Sequence, residues 1–308
     1  MKYVSLHTHS TYSYGDGYGT VAQHVERVHS LGMNALALTE HGNVSSWVAL
    51  EKACRRTGLN PIFGIEAYVG IPGEQRKTHM ILLAMNSVGL QNINRIVTQS
   101  WKQFYRWPTV YFEDLERWNE GIIILSGCAD SAISCILLGG KYFGEKTLEP
   151  SERNIQRAVR VVQRFQKIFG DRYYLEVQRF PGLERTCVLN PLLAEISRRT
   201  GASIAATCDV HYCQPEDNAM QRILHAAHRG GTVETVDAEW EYSILLTYPL
   251  SDEEIIKDLE GTGLSNADAT WAVFATSLIA DRCKAELPKA ALPKYVVGQG
   301  DWDAWKIC

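Results

Sequence analysis

Side chains of metal-ligand type are spread through this sequence: His7, His9, Asp16, His41, Glu66, His79, Cys128, Asp209 and His211. Imidazole, carboxylate and a thiolate together form a ligand set for zinc, or for manganese and iron where carboxylates dominate. In the opening stretch "VSLHTHSTYSYGDG" two histidines stand one residue apart at the end of an apolar run. On an extended chain residues i and i+2 point to the same side, so both can grip one ion. Asp16 follows between two glycines. The set exceeds one tetrahedral shell and therefore suits two or three ions sharing a carboxylate. Glu66, inside the apolar run "PIFGIEAYVG", is the candidate bridge. A lone carboxylate in apolar surroundings is costly unless a cation or another charge partner stands beside it.

The elements that must carry these groups are legible as short apolar runs. "KYVSL" (2–6), "ALALT" (35–39), "PIFGIEAYVG" (61–70), "HMILLAM" (79–85), "GIIILSG" (121–127), "YYLEVQ" (173–178) and "SIAATCDVH" (203–211) read as strands. Amphipathic stretches at 20–31, 45–57, 91–99, 155–169 and 186–200 alternate with them as helices. Near-continuously apolar strands with intervening helices predict an α/β fold with a parallel sheet buried on both faces, most economically a barrel. In such a barrel the C-terminal strand ends meet on one face, so groups distant in sequence can form one site. His7 and His9 close the first strand, Glu40 and His41 the second, and Asp209 and His211 the seventh; Asp16 lies in the loop after the first. Glu66 lies in the third, His79 opens the fourth and Cys128 follows the fifth. Taken singly, a strand-end histidine is an ordinary loop residue and Cys128 a small buried hydrophobe. Their joint position at strand ends is what points to a site. Glu40 reads as a supporting group or a helix N-cap, and His24, His29, His225 and His228 as surface or packing residues.

Composition bounds the remaining choices. A chain of 308 residues that is 45% hydrophobic and 21% charged can bury a full core. The formal net charge of -4 supplies no global positive field for nucleic acid. Eight cysteines without a CxxC pair read as cytosolic thiols. The N-terminus has no signal-peptide pattern, and no stretch approaches the ~20 apolar residues of a membrane span, which predicts a cytoplasmic protein with no membrane partner. After His211 the pattern turns helical, in "PEDNAMQRILHAAHRGG", "SDEEIIKDLEG" and "SNADATWAVFATSLIADRC". The expected organisation is a barrel over 1–230, a helical extension over 231–290 and a linker-like tail over 291–308. Two further features have both a plain and a functional reading. Arg153, Arg157, Arg160, Arg164 and Lys167 form either a solvated helix face or a strand-guiding stripe. "WKQFYRWP" (101–108) either packs on the barrel or stacks single-stranded bases.

Together "HTHSTYSYGDG", "LALTEHGNV", "PIFGIEAYV", "HMILLAMNSVGLQNI", "ILSGC" and "CDVHY" resemble successive motifs of the PHP (polymerase and histidinol phosphatase) domain. The similarity is greatest to the version at the N-terminus of bacterial replicative DNA polymerase III α subunits. It continues through "EDNAMQRILHAAHRGG" and "LPKY". The resemblance implies a distorted (β/α)7 barrel with a helical C-terminal extension and a site of two or three divalent ions. His7, His9, Glu66 and Asp209 would hold one ion; Glu66 would bridge to a second held by His79 and Cys128; Asp16, His41 and His211 would hold a third. Asp16, Glu66 and Asp209 would be the catalytic carboxylates, with a metal-bound water as nucleophile.

All of these positions keep a ligand-competent residue, which favours an active metal-dependent phosphoesterase, a 3'-5' exonuclease acting on a DNA 3' end, single strand or primer terminus. The sequence ends where the thumb and palm of that family are expected. This predicts a stretch that cannot polymerise nucleotides, whether an isolated domain or a stand-alone product, in a bacterial cell or a phage-infected one. Its protein partners would be the remaining polymerase domains or other replisome subunits. Two alternatives stay open: a small-molecule phosphoesterase of histidinol-phosphatase type, and a non-catalytic metal-stabilised scaffold.

Overall fold

A computed structural model describes residues 2–70, 77–138, 150–239 and 244–289. The expected tail over 291–308, with "LPKY", lies outside the described residues. Six of the seven apolar runs form strands, β1 (Ala35–Leu38), β2 (Asn60–Gly70), β3 (Lys77–Ala84), β5 (Ile122–Leu125), β6 (Tyr173–Gln178) and β7 (Ser203–Thr207); β4 (Thr109–Val110) is a short strand outside those runs, and the run at 2–6 makes isolated bridges in place of the expected strand. Alternate residues fall into two buried layers. Ala35, Ala37, Ile62, Ile81, Leu83, Ile123, Leu125 and Ala205 form an inner cluster, while Leu36, Phe63, Leu82, Ile124, Leu175 and Ile204 belong to an outer one under the helices. Burial on both faces is why these strands read as unbroken apolar runs.

The strands run in the order β1-β2-β3-β5-β6-β7, with β4 paired to β2. The ring is closed by the first residues of the chain. Ser5 pairs in parallel with Leu36 on one side and Thr8 with Val210 on the other. His9 N donates to Val210 O (2.7 Å) and Thr39 N to Thr8 O (2.9 Å). The result is a distorted (β/α) barrel in which residues 4–9 serve as a seventh, irregular staff.

One expectation is corrected: the sheet is not wholly parallel. β3 runs antiparallel to both β2 and β5, while β1–β2, β5–β6 and β6–β7 are parallel. The chain between Gly70 and Lys77 is too short for the crossover that a parallel neighbour needs. The reversal matters for the site. It brings the beginning of β3, where His79 stands, to the barrel end reached by the C-terminal ends of the parallel strands.

Helices α1 (Val21–Ser30), α2 (Trp47–Thr57), α3 (Ser87–Lys102), α4 (Phe112–Arg117), α5 (Ala132–Leu137), α6 (Glu152–Phe169) and α7 (Glu184–Thr200) lie between the strands. α8 (Asn218–Arg229), α9 (Val233–Glu239), α10 (Asp252–Gly261) and α11 (Asn266–Arg282) follow β7. Ser251 and Ser265 cap α10 and α11 by accepting from Glu254 N and Asp268 N. α11 is part of the barrel core: its Ala275, Ile279 and Ala280, with Cys283, join the inner cluster. Asn60 Nδ2 donates to Cys283 O and Lys284 N to Met85 O, which fixes this plug at the end opposite the ligand-type residues. The five bases of α6 are all exposed, while Ile155, Val159, Val162, Phe165 and Phe169 are buried, the plain reading of that stripe. The described cysteines are free thiols. No helix among the described residues is long and apolar enough to cross a membrane.

Candidate metal centre

The first staff bends at His7. Val4 and Leu6 point into the inner cluster, and beyond the bend His7 and His9 face the barrel mouth. Their supporting bonds fix which ring atom faces inward. His7 Nδ1 meets Glu176 Oε1 at 2.8 Å, so the acceptor carboxylate assigns the proton to Nδ1. His9 Nδ1 lies 2.8 Å from Ser13 Oγ, whose own hydrogen goes to Glu40 Oε2 at 2.6 Å. Ser13 therefore accepts from His9. Both Nε2 atoms are left turned towards each other, 3.1 Å apart, with no donor assigned between them by these bonds. Glu40 also accepts from Ser10 N and Ser10 Oγ, so it acts as a supporting group and not as a helix N-cap.

Glu66 stands at the centre. It lies on the inner side of β2, in phase with Ile62, and is 2% exposed. His7 Nε2 and His9 Nε2 each approach it at 3.3 Å, His79 Nδ1 at 3.1 Å and His41 Nδ1 at 2.7 Å. None of these contacts has hydrogen-bond direction: both Glu66 oxygens and His41 Nδ1 are buried without a hydrogen-bond partner. A buried carboxylate ringed by nitrogen atoms that do not donate to it is the arrangement a shared cation would satisfy. Cys128 Sγ completes this side, 3.6 Å from His79 Nδ1. Gly127, before it, has φ 93°, and a Cβ there would overlap the His79 carbonyl. Only glycine lets the thiol come this close to β3.

Asp16 and Asp209 close the other side. Asp209 Oδ1 is 3.1 Å from His7 Nε2 and 3.7 Å from His9 Nε2, its backbone in the left-handed region at φ 44° and its other oxygen accepting from Gln178. Asp16 Oδ2 lies 2.9 Å from His41 Nε2 and 3.3 Å from His211 Nε2. A Cβ at Gly17 would overlap the Ser10 carbonyl, so the glycine after Asp16 is what allows its loop to fold back. All the ligand-type residues singled out from the sequence are thus brought together. Among the described residues three subsets are tight enough for one ion each: His7, His9 and Glu66; Glu66, His79 and Cys128; His9, His41 and His211. His9 thereby stands between two of them.

Burial opposes protonation of His7, His41 and His79, but the neighbouring carboxylates, with Tyr68 beside His41, lift all three, so a cation bound here would displace protons from these rings. Burial opposes ionisation of Glu66, but His79, His7 and His41 hold it well below the usual carboxylate range. Burial likewise opposes a charged His211, yet Asp16 and Asp209 lift it to about 9. Burial, with His41 and His211 beside it, pushes His9 down to about 3, leaving its Nε2 lone pair available. Burial and then Glu66 and Asp209 raise the Cys128 thiol well above its ordinary value, so it needs a cation to become a thiolate.

Sequence reasoning missed two groups. Glu176 lies within the strand run "YYLEVQ" at an inward position, in phase with Tyr174 of the inner cluster as Glu66 is with Ile62. His225, expected to be a surface or packing residue, instead brings Nε2 from α8 to Asp16 Oδ1 and is buried. Its signal was His228 one turn later on the same helix face. His24 keeps its packing role, between Tyr248 Oη and Tyr18 O.

A family profile described as the PHP domain matches residues 5–180, more than half of the chain. The chain belongs to the PHP domain family. It is similar to DNA polymerase III subunit alpha of Treponema pallidum, 34% identical over 310 residues that cover 96% of this chain and 25% of that protein. The same-named protein of Borreliella burgdorferi is 29% identical over 309 residues, covering 96% and 25%. The chain thus spans about a quarter of the length of these curated relatives. Among solved structures it overlays an amidohydrolase from Chromobacterium violaceum with a TM-score of 0.44 and 15% identity, over 68% of this chain and 87% of that one. The centre of this PHP domain opens into a cavity of about 140 Å³, where Asp16, Glu66 and Asp209 face Phe180, Leu183, Ile244 and Leu246. Arg185 and Asp130 pair at 3.6 Å beside it.

Proposed function

We propose that this PHP domain is a metal-dependent phosphoesterase that removes nucleotides from a DNA 3' end, as a 3'-5' exonuclease within a protein of the DNA polymerase III α type. The observation that carries the reading is Glu66, a buried carboxylate with no hydrogen bond and four imidazoles around it. The proposed ligands are His7, His9, Glu66 and Asp209 for one ion, His79 and Cys128 with Glu66 for a second, and Asp16, His41 and His211 for a third. Zinc, manganese and iron all suit this mixed donor set. Such ions supply Lewis acidity to water and to phosphoryl oxygens.

The chain's own residues hold and orient. Glu176, through His7, and Ser13 with Glu40, through His9, keep two imidazoles in the tautomer that turns Nε2 inward. Asp16, Glu66 and Asp209 set the negative charge of the centre. The apolar wall of Phe180, Leu183, Ile244 and Leu246 limits water around a bound phosphodiester. The relation to DNA polymerase III subunit alpha supports a DNA terminus as substrate, cytoplasmic work, and the remaining polymerase domains or replisome subunits as partners. In this reading 1–230 is the catalytic barrel and 231–290 the helical part that completes it.

The test is to measure metal content of the purified chain and to assay a 5'-labelled single strand, a mismatched primer terminus and histidinol phosphate. The expected result is metal-dependent shortening from the 3' end, abolished by chelation, with Asp16→Asn and Asp209→Asn each on the order of 100-fold slower. Bound metal without cleavage of any of the three substrates would overturn the enzymatic reading. Cleavage of histidinol phosphate alone would overturn the exonuclease.

A further inference from the structure

The segment "WKQFYRW" at 101–107 does not pack away against the barrel. Trp101, Phe104, Tyr105 and Trp107 are 53%, 51%, 57% and 47% exposed, and Lys102 and Arg106 between them are exposed too. The segment is nevertheless ordered and tied to the metal centre. Trp101 Nε1 donates to the carbonyl of Gly42, the residue after His41 (3.0 Å), and Tyr105 N donates to Trp107 O (3.2 Å). Arg106, between Tyr105 and Trp107, is exposed, with φ 63°, and holds its guanidinium over one face of the Tyr105 ring, 5.8 Å from the centroid. Trp101 and Phe104 stack with centroids 5.5 Å apart and planes at 14°.

This ledge is continuous with the proposed catalytic centre. Trp107 lies 5.1 Å from the Tyr68 ring, and Tyr68 lies 5.9 Å from His41 with planes at 25°. A groove of about 370 Å³ runs beside this series, lined by Tyr14, Tyr68, Lys77, Trp107 and Arg229, and it shares Asp16, His41, His79 and His225 with the cavity of the centre. Tyr14, 84% exposed, faces it from the opposite loop. Exposed aromatic faces at successive positions, with bases interleaved, match the chemistry of a stacked, negatively charged chain. A duplex hides its base faces; a single strand offers them.

We infer that the 101–107 ledge and its groove bind a single-stranded polynucleotide, stacking bases on Trp107 and Tyr105 with Lys77, Lys102, Arg106 and Arg229 along the phosphates, so that its 3' end enters the metal centre. This rests on the phosphodiesterase reading for the direction of the strand, but binding itself needs no catalysis. The ledge also gives local positive charge to a chain whose net charge is -4.

The test is anisotropy of fluorescein-labelled oligo(dT), oligo(rU) and a blunt duplex in chelator, where cleavage cannot contribute and failure of the enzymatic reading leaves the result intact. Wild-type protein is expected to bind at least one single-stranded oligomer more tightly than the duplex. Trp107→Ala and Tyr105→Ala should each weaken that binding roughly tenfold. Trp271→Ala, an exposed tryptophan on α11, should leave it unchanged. Melting curves identify any variant that has lost its fold, and a second readout needs no variant: an oligomer carrying 5-iodo-deoxyuridine should photocrosslink to the peptide containing 101–107. Equal affinity for the duplex, unchanged binding by folded ledge variants, or crosslinks confined to other peptides would each overturn the inference. So would no binding of any oligomer, the outcome expected of a ledge that docks protein.

Discussion

At the scale of residues, the ligand-type groups were legible because their chemistry is out of place: imidazoles and carboxylates at the ends of apolar strands have little to do in a core. The supporting groups were less visible. Ser13 is an ordinary loop residue in sequence and becomes informative only when its hydroxyl is seen passing from His9 to Glu40. Glu176 is hidden in the same way, although it accepts from both His7 Nδ1 and Thr207 Oγ1. Its role makes a definite prediction. Glu176→Gln keeps an oxygen for Thr207 but removes the charge that holds the His7 proton on Nδ1, so metal affinity should fall roughly tenfold with the fold intact. Competition with a chromogenic chelator measures it; unchanged affinity would mean that His7 is oriented by something else. His225→Ala should likewise free Asp16 on one side and lower metal occupancy, read by elemental analysis of the purified variant, without changing the melting temperature of the metal-free protein by more than a few degrees.

At the scale of elements, the strand runs and most helices could be read from period and caps, whereas the direction of β3 could not be taken from its apolar run. Every residue in "HMILLAM" suits either direction, and the deciding fact is the length of chain between Gly70 and Lys77. His79 at the beginning of its strand was the visible anomaly: in a wholly parallel barrel it would lie at the far end from His7 and Glu66. The role of α11 was also hidden, because a helix whose small residues fill a barrel end has the same composition as one lying on a surface. The inner cluster predicts a contrast within that helix. Ile279, fully buried between strands, should cost about 2–5 kcal/mol when changed to Ala. Leu278, 38% exposed, should cost much less in the same substitution. Urea unfolding of the two variants measures both, and equal losses would contradict α11 as the barrel's plug.

At the scale of the whole molecule, the chain after β7 is fastened back onto its beginning, which no local pattern announces. Asp252, at the start of α10, accepts from Lys2 N and Tyr3 N, Thr276 in α11 accepts from Val4 N, and Tyr248 bonds to His24 in α1. His24 makes this fastening sensitive to acid. Its neutral ring is satisfied on both sides, with Nε2 donating to Tyr18 O (3.2 Å) and Nδ1 accepting from Tyr248 Oη (2.8 Å). Burial lowers its pKa from 6.5 to about 4. The unfolded chain therefore binds a proton that the folded one refuses between those values, so the stability from His24 is present above pH 6.5 and is lost as pH falls towards 4. The whole effect is worth roughly 3 kcal/mol. The carboxylates of the candidate metal centre, Asp16, Glu66 and Asp209, are also held below their ordinary range, so the wild-type curve alone does not isolate His24; the difference from a His24→Gln variant does. In metal-free protein the stability advantage of wild type over His24→Gln should shrink by about that amount between pH 7 and pH 4, measured by urea unfolding across the range. An advantage that stays constant with pH would mean that His24 carries its charge in the folded protein and that the junction between α1 and Tyr248 is not held by a neutral ring.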